Sequence, residues 1–183
     1  IGEMDSAHLR ALPVVDKDGK YKSLLHYSAF AQKLLDILNP ENKVSISTSI
    51  GLIIRTMNAQ PLIVHNQEEI FKSTILVGAA SDDTFSRMLD EHKSENIIVI
   101  TSDREKIYEA CIERRVKLLI ITSGYMLNKE LKEKAQQNGV SVIMSPYTTS
   151  DTVMMIAYST PVSLMADPEI QPVHPEDTIS KIR

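Results

Sequence analysis

Between Asn96 and Thr152 the chain repeats one unit three times: a short apolar run, a polar turn, then an amphipathic segment. The runs are Ile97-Ile98-Val99-Ile100, Leu118-Leu119-Ile120-Ile121 and Val140-Ser141-Val142-Ile143-Met144. Runs this short and this rich in branched side chains show almost no polar alternation. That is the pattern of strands covered on both faces, as in a parallel sheet sandwiched by helices. Each run leads into residues that start helices: Thr101-Ser102-Asp103-Arg104, Thr122-Ser123-Gly124, and Ser145-Pro146-Tyr147-Thr148-Thr149-Ser150-Asp151. Strands alternating with helices imply βαβ units, whose ligands bind at the carboxyl ends of the strands. These turns should meet there, either to bind a ligand or simply to cap helices.

The flanks read differently. In residues 1–38, Met4, His8, Leu9 and Leu12 suggest the end of a helix. Leu12-Pro13-Val14-Val15-Asp16 reads as a strand that turns at Asp18-Gly19 and returns along Tyr21 to Leu25. A helix capped by Ser28 would carry Phe30, Leu34, Leu35 and Leu38, and Asn39-Pro40 would stop it. In residues 44–90, Ser47 or Thr48 can cap a helix bearing Ile50, Ile53, Ile54 and Met57. Leu62-Ile63-Val64 and Thr74 to Ala79 read as strands, and Asp82-Asp83-Thr84 precede a short helix with Phe85, Met88 and Leu89. Gly78-Ala79 suggests a close backbone approach. Asn128 is placed to cap a helix that Asn138-Gly139 ends.

Composition narrows the chemistry. A formal net charge of -4 gives no basic footprint for a nucleic-acid partner. A single cysteine, Cys111, excludes an internal disulfide and fits a reducing, cytoplasmic setting. No apolar run reaches the roughly 18 residues that span a bilayer, so no membrane partner is expected. The histidines at 8, 26, 65, 92 and 174 are scattered without metal-ligand spacing, so no metal site is expected here. No phosphate loop follows Gly78, and no nucleophile elbow occurs. Asp103 and Asp151 are the carboxylates that strand-end chemistry would use, but helix capping is the simpler role for both. Arg104 is placed to bridge toward Thr122 or Asp151 and to form an anion site with the helix starts. No catalytic residue is expected. Without Trp and with few aromatics, the core should be Ile, Leu, Val and Met.

Three family resemblances sharpen this. Leu12-Pro13-Val14-Val15-Asp16-Lys17-Asp18-Gly19, with its strand–turn–strand–helix setting, resembles the second half of a CBS domain, a module that works in pairs and commonly holds adenine nucleotides. His26 and Ala29 occupy the places where that family often carries its hydroxyl and its ribose-gripping Asp. The ordered set Asp103-Arg104, Thr122-Ser123-Gly124 and Ile75-Leu76-Val77-Gly78-Ala79-Ala80 resembles the DRTGG domain over about residues 44–160. In it, Ser123 stands where a Gly is usual. DRTGG domains occur as accessory domains of phosphate-handling proteins, including phosphotransacetylases and certain pyrophosphatases. Pro161 to Met165 and Ile170 to Ile179, with Thr178 as a helix cap, resemble the opening of a second CBS domain.

The expected fold class is therefore α/β: a small parallel sheet with flanking helices over 44–160, between partial α+β CBS modules at 1–38 and 161–183. The order resembles the regulatory insert of family II, manganese-dependent inorganic pyrophosphatases. That resemblance implies that AMP or ADP inhibits and that ATP or diadenosine polyphosphates activate. Manganese would sit only in the parent catalytic domain, and a homodimer is expected. The implied nucleotide-binding residues are Pro13, Val14, His26, Met165, Asp167, Ile170 and Gln171. The alternative is a ligand-free dimerisation or interaction module of another CBS–DRTGG protein, such as a transcription regulator.

Overall fold

The computed structural model describes residues 2–29, 31–32, 45–166, 173 and 176–178. The chain forms two compact units, residues 37–160 and residues 1–36 with 161–183.

In the larger unit the apolar runs form the middle of a six-stranded sheet. Its strands are β3 (Ser45–Thr48), β4 (Gln60–Ile63), β5 (Phe71–Val77), β6 (Ile97–Thr101), β7 (Leu118–Ile121) and β8 (Ser141–Met144). Their order across the sheet is β3-β5-β6-β7-β8-β4. The four inner strands are parallel and lie in chain order, while β3 and β4 pair antiparallel at the two edges. The sheet is thus mostly parallel, with antiparallel edges that the apolar runs did not foretell.

Alternation along the inner strands divides the core between two helical layers. Val99, Leu119, Ile121 and Val142 face α3 (Asp82–Asp90), α4 (Glu105–Glu113) and α5 (Lys129–Asn138), where Phe85, Leu89, Ile107, Cys111, Ile112, Leu131 and Ala135 meet them. Ile98, Ile100, Leu118, Ile120 and Ile143 face Ile50, Ile53 and Met57 of α2 (Ile50–Met57) and Ile156 of α6 (Thr149–Ala157). Every residue of β6 and β7 is buried. Burying one such aliphatic side chain stabilises by about 1.5–3 kcal/mol.

Several local expectations hold. Asn128 accepts the Leu131 N–H and caps α5, and Gly139, at φ 71, ends it. The 145–151 turn does lead into α6, but Asp151 does not cap it: Thr148 is the cap, accepting from the Asp151 N–H, and Asp151 lies in the first turn. Gly78 does mark a close approach: its N–H donates to the Ile100 carbonyl at 2.8 Å, and an added Cβ would lie 2.8 Å from Thr101 Oγ1.

Others are corrected. Ser47 and Thr48 do not cap α2, because both pair with β5. Ser49 is the cap, accepting from the Leu52 N–H. Thr48 instead bonds the Ser159 carbonyl and hydroxyl, each at 2.8 Å, tying the entry of the larger unit to its exit. Asp82, Asp83 and Thr84 form the first turn of α3 rather than preceding it. Asp103 does not cap α4. Arg104 occupies that position without a side-chain cap bond.

In the smaller unit, α1 (Gly2–Ser6) ends with the Leu9 N–H donating to Met4 O and the His8 N–H to Asp5 O. This pair of bonds requires a left-handed residue just past the helix, here His8 at φ 52. The chain then enters the hairpin of β1 (Ala11–Val15) and β2 (Tyr21–His26), which pairs Ala11 with His26 and Val14 with Ser23. Asp16 organises the turn by accepting the Asp18 and Lys20 N–H groups, and Gly19 takes φ 77. Helical geometry is already present at Tyr27, one residue before the expected Ser28 cap. Phe30, Leu34, Leu35, Leu38 and Asn39-Pro40 lie outside the described residues, as does the helix that Thr178 would start.

Candidate functional site

At the carboxyl end of the inner strands, the hydroxyl-rich turns mostly bond one another. Thr122 Oγ1 meets Thr149 Oγ1 at 3.0 Å and donates to Thr101 O at 3.3 Å. Ser145 Oγ and Thr152 Oγ1 are 2.7 Å apart, and Ser145 Oγ also accepts the Tyr147 N–H. Thr148 donates to the Asp151 carboxylate at 2.7 Å.

Arg104 bridges to neither Thr122 nor Asp151. Its guanidinium donates to Gly78 O at 3.3 Å, Ala80 O at 2.6 Å and Asp82 Oδ1 at 2.7 Å. The Asp-Arg signature therefore clamps the β6–α4 turn onto the β5–α3 turn, and its charge is spent on protein acceptors rather than held open for an anion. Beneath it, the Tyr108 hydroxyl donates to Ser102 O. Burial, with a smaller opposing contribution from the backbone contact at Arg104, raises the Tyr108 pKa. Burial likewise pushes the Cys111 thiol far above its usual range, so no thiolate nucleophile is available there. Among the described residues, no group of three or more His, Cys, Asp or Glu side chains is placed to hold a metal ion. No helix among them is long and apolar enough to cross a membrane.

The smaller unit holds a cavity of about 370 Å³ lined by Met4, Asp5, His8, Leu9, Arg10 and Tyr27. Its geometry follows from two local devices. The left-handed turn at His8 redirects the chain from α1 into β1. The hairpin register then returns the chain beside its own entrance, so that the Tyr27 N–H donates to the Arg10 carbonyl at 2.9 Å. Two basic side chains, one carboxylate and an exposed phenol ring thus converge on one opening, a set suited to a ligand with an aromatic ring and anionic groups.

None of the residues anticipated from the sequence lines this cavity. His26 is adjacent, immediately before Tyr27 and paired with Ala11. Pro13 and Val14 lie further along β1, opposite Leu24 and Ser23. Met165 follows a short helical turn, Val162–Leu164, and donates its N–H to Val162 O at 2.9 Å. Asp167, Ile170 and Gln171 lie outside the described residues. Arg10 and Tyr27 were missed although a signal existed: counting the hairpin outward from Asp18-Gly19 sets residue 10 beside residue 27.

Comparison with known proteins follows this division. Residues 52–159 match the DRTGG domain family. A cobalt-dependent inorganic pyrophosphatase of Clostridium perfringens is 27% identical across 98% of this chain, and a probable manganese-dependent inorganic pyrophosphatase of Thermotoga maritima is 19% identical across 98%. In each case the match covers 32% of the relative, so the chain spans about a third of their length. The fold is similar to the crystal structure of the CBS and DRTGG domains of the regulatory region of Clostridium perfringens pyrophosphatase, complexed with its activator diadenosine tetraphosphate. There the TM-score is 0.78 at 24% identity, over 99% of this chain and 77% of that one.

Proposed function

The chain belongs to the DRTGG domain family, and from that premise we propose that it is the regulatory region of a metal-dependent inorganic pyrophosphatase, sensing adenine nucleotides through its smaller unit. One observation carries the proposal. The likeness to pyrophosphatases runs over 98% of the chain, well beyond the 52–159 segment that defines the family. The flanks that form the smaller unit are therefore shared with those enzymes.

On this reading residues 1–38 and 161–183 are two partial CBS modules that flank the DRTGG domain in the sequence. Nucleotide is held by Pro13, Val14, His26, Met165, Asp167, Ile170 and Gln171. The cavity adds His8 and Arg10 for phosphate oxygens and the Tyr27 ring for the base. AMP or ADP inhibits, while ATP or a diadenosine polyphosphate activates, by biasing two arrangements of the region. The region itself makes and breaks no bonds. Manganese or cobalt belongs to the parent catalytic domain, and the parent is a cytoplasmic homodimer.

Titration calorimetry of the chain with AMP, ADP and diadenosine tetraphosphate tests this, together with pyrophosphate hydrolysis by the parent. Binding is expected, weakened at least tenfold by Arg10→Ala. Absence of binding by all three at millimolar concentration refutes the sensor reading and leaves an interaction module.

A further inference from the structure

A second opening, of about 310 Å³, lies at the carboxyl end of the parallel strands, lined by Asn58, Gln60, Gly124, Met144, Ser145 and Pro146. In open α/β sheets this is where ligands bind. Its walls come from rigid elements. Gln60 pairs with Met144 across the β4–β8 ladder, and the Ser145 N–H donates to Ile121 O at 2.8 Å. Asn58 is locked left-handed at φ 50 by the end of α2. The Thr122-Ser123-Gly124 turn closes one side, with Ser123 at φ 63 and Gly124 at φ 76. Ser123 is a residue with a Cβ held left-handed, the kind of backbone cost that folds retain at binding sites.

The chemistry of the lining selects a ligand. None of the six lining residues is charged, so no cation among them awaits a phosphate. Asn58 and Gln60 expose carboxamides, each a donor and an acceptor side by side, the pattern that pairs with the edge of adenine. Met144 offers a polarisable thioether and Pro146 an apolar ring against a heterocycle's face. The hydroxyl of Ser145 is already engaged by Thr152 and the Tyr147 N–H, so it shapes the floor rather than reaching outward.

We propose that this opening, formed where Asn58 and Gln60 face the Gly124 and Pro146 turns, is a second site of the chain that takes an uncharged purine nucleoside. It is separate from the cavity holding His8 and Arg10 and does not depend on nucleotide binding there.

The test uses adenosine, followed by ligand-observed NMR and calorimetry on the full chain carrying Arg10→Ala and Tyr27→Ala to silence the smaller unit. Adenosine is expected to bind this background, with contacts on its base protons, and to lose at least tenfold in affinity on adding Asn58→Gly or Gln60→Ala. Both additions replace exposed side chains, and glycine keeps the left-handed backbone at 58, so each is read on a folded chain. No adenosine binding in the background, or binding indifferent to both additions, overturns the proposal. Failure of nucleotide titrations in the unaltered chain would instead count against the sensing role of the smaller unit and leave this site standing.

Discussion

Replacing Arg104 by alanine isolates what the Asp-Arg signature does. The side chain gives up bonds at 2.6 and 3.3 Å to the Ala80 and Gly78 carbonyls and at 2.7 Å to the Asp82 carboxylate. Gly78 O keeps a second donor in the Thr101 hydroxyl at 3.3 Å, and Asp82 keeps Lys106 at 3.5 Å, so neither acceptor is stranded. The guanidinium is 29% exposed and Asp82 42%, so solvent screens the ion pair to about 0.5 kcal/mol. The carbonyl bonds from a charged donor contribute most of the remainder, for a total of about 2 kcal/mol. For a unit of this size that lowers Tm by about 8 °C, read by calorimetry or circular dichroism. Arg104→Lys should recover less than half of the loss, because one ammonium cannot reproduce the planar fork that reaches two carbonyls and a carboxylate. An anion site predicts the reverse: Arg104→Ala would leave the ligand-free Tm nearly unchanged, and phosphate would stabilise only the unsubstituted chain. That pair of results would refute the clamp.

The remaining expectations concern caps, a close contact and one carboxylate. Asn128→Ala, which removes the cap of α5, should cost about 1 kcal/mol, whereas Asp103→Ala should stay within about 0.5 kcal/mol; urea denaturation compares them, and equal losses would restore Asp103 as a cap. Gly78→Ala drives a methyl to within 2.9 Å of Thr101 Cβ and 3.1 Å of Ile107 Cγ2, for a cost of about 1–3 kcal/mol in the same assay. The Lys20 backbone N–H, with help from Lys22 and Asp18, holds the Asp16 carboxyl below its ordinary pKa. Because the folded-state pKa is depressed, the stabilisation is present above the unfolded value of about 3.9 and is lost as pH falls through the folded one. Amide-exchange protection of β1 and β2 should therefore be weaker in Asp16→Ala at neutral pH, with the difference closing in acid; a difference that persists undiminished in acid contradicts this.

What could be read directly from the sequence was governed by near neighbours. β6, β7 and β8 announce themselves because strands buried on both faces are mostly apolar on either side, whatever lies beside them. Asn128 is legible as a cap because the N–H it satisfies is three residues away. The edge strand Ser45–Thr48 hid among three successive cap-forming residues, and only its ladder with β5 decided that Ser47 and Thr48 are strand and Ser49 is cap. Arg104 misled for the same reason: its acceptors lie 22 to 26 positions upstream, brought near only because β5 and β6 are neighbours in the sheet. Both openings are likewise products of strand adjacency, one setting Arg10 beside Tyr27 and the other Gln60 beside Met144. Periodicity and local hydrogen bonding are written into consecutive residues. Which distant residues share a wall depends on the order in which strands pair, and that order is settled only when the whole sheet closes its core.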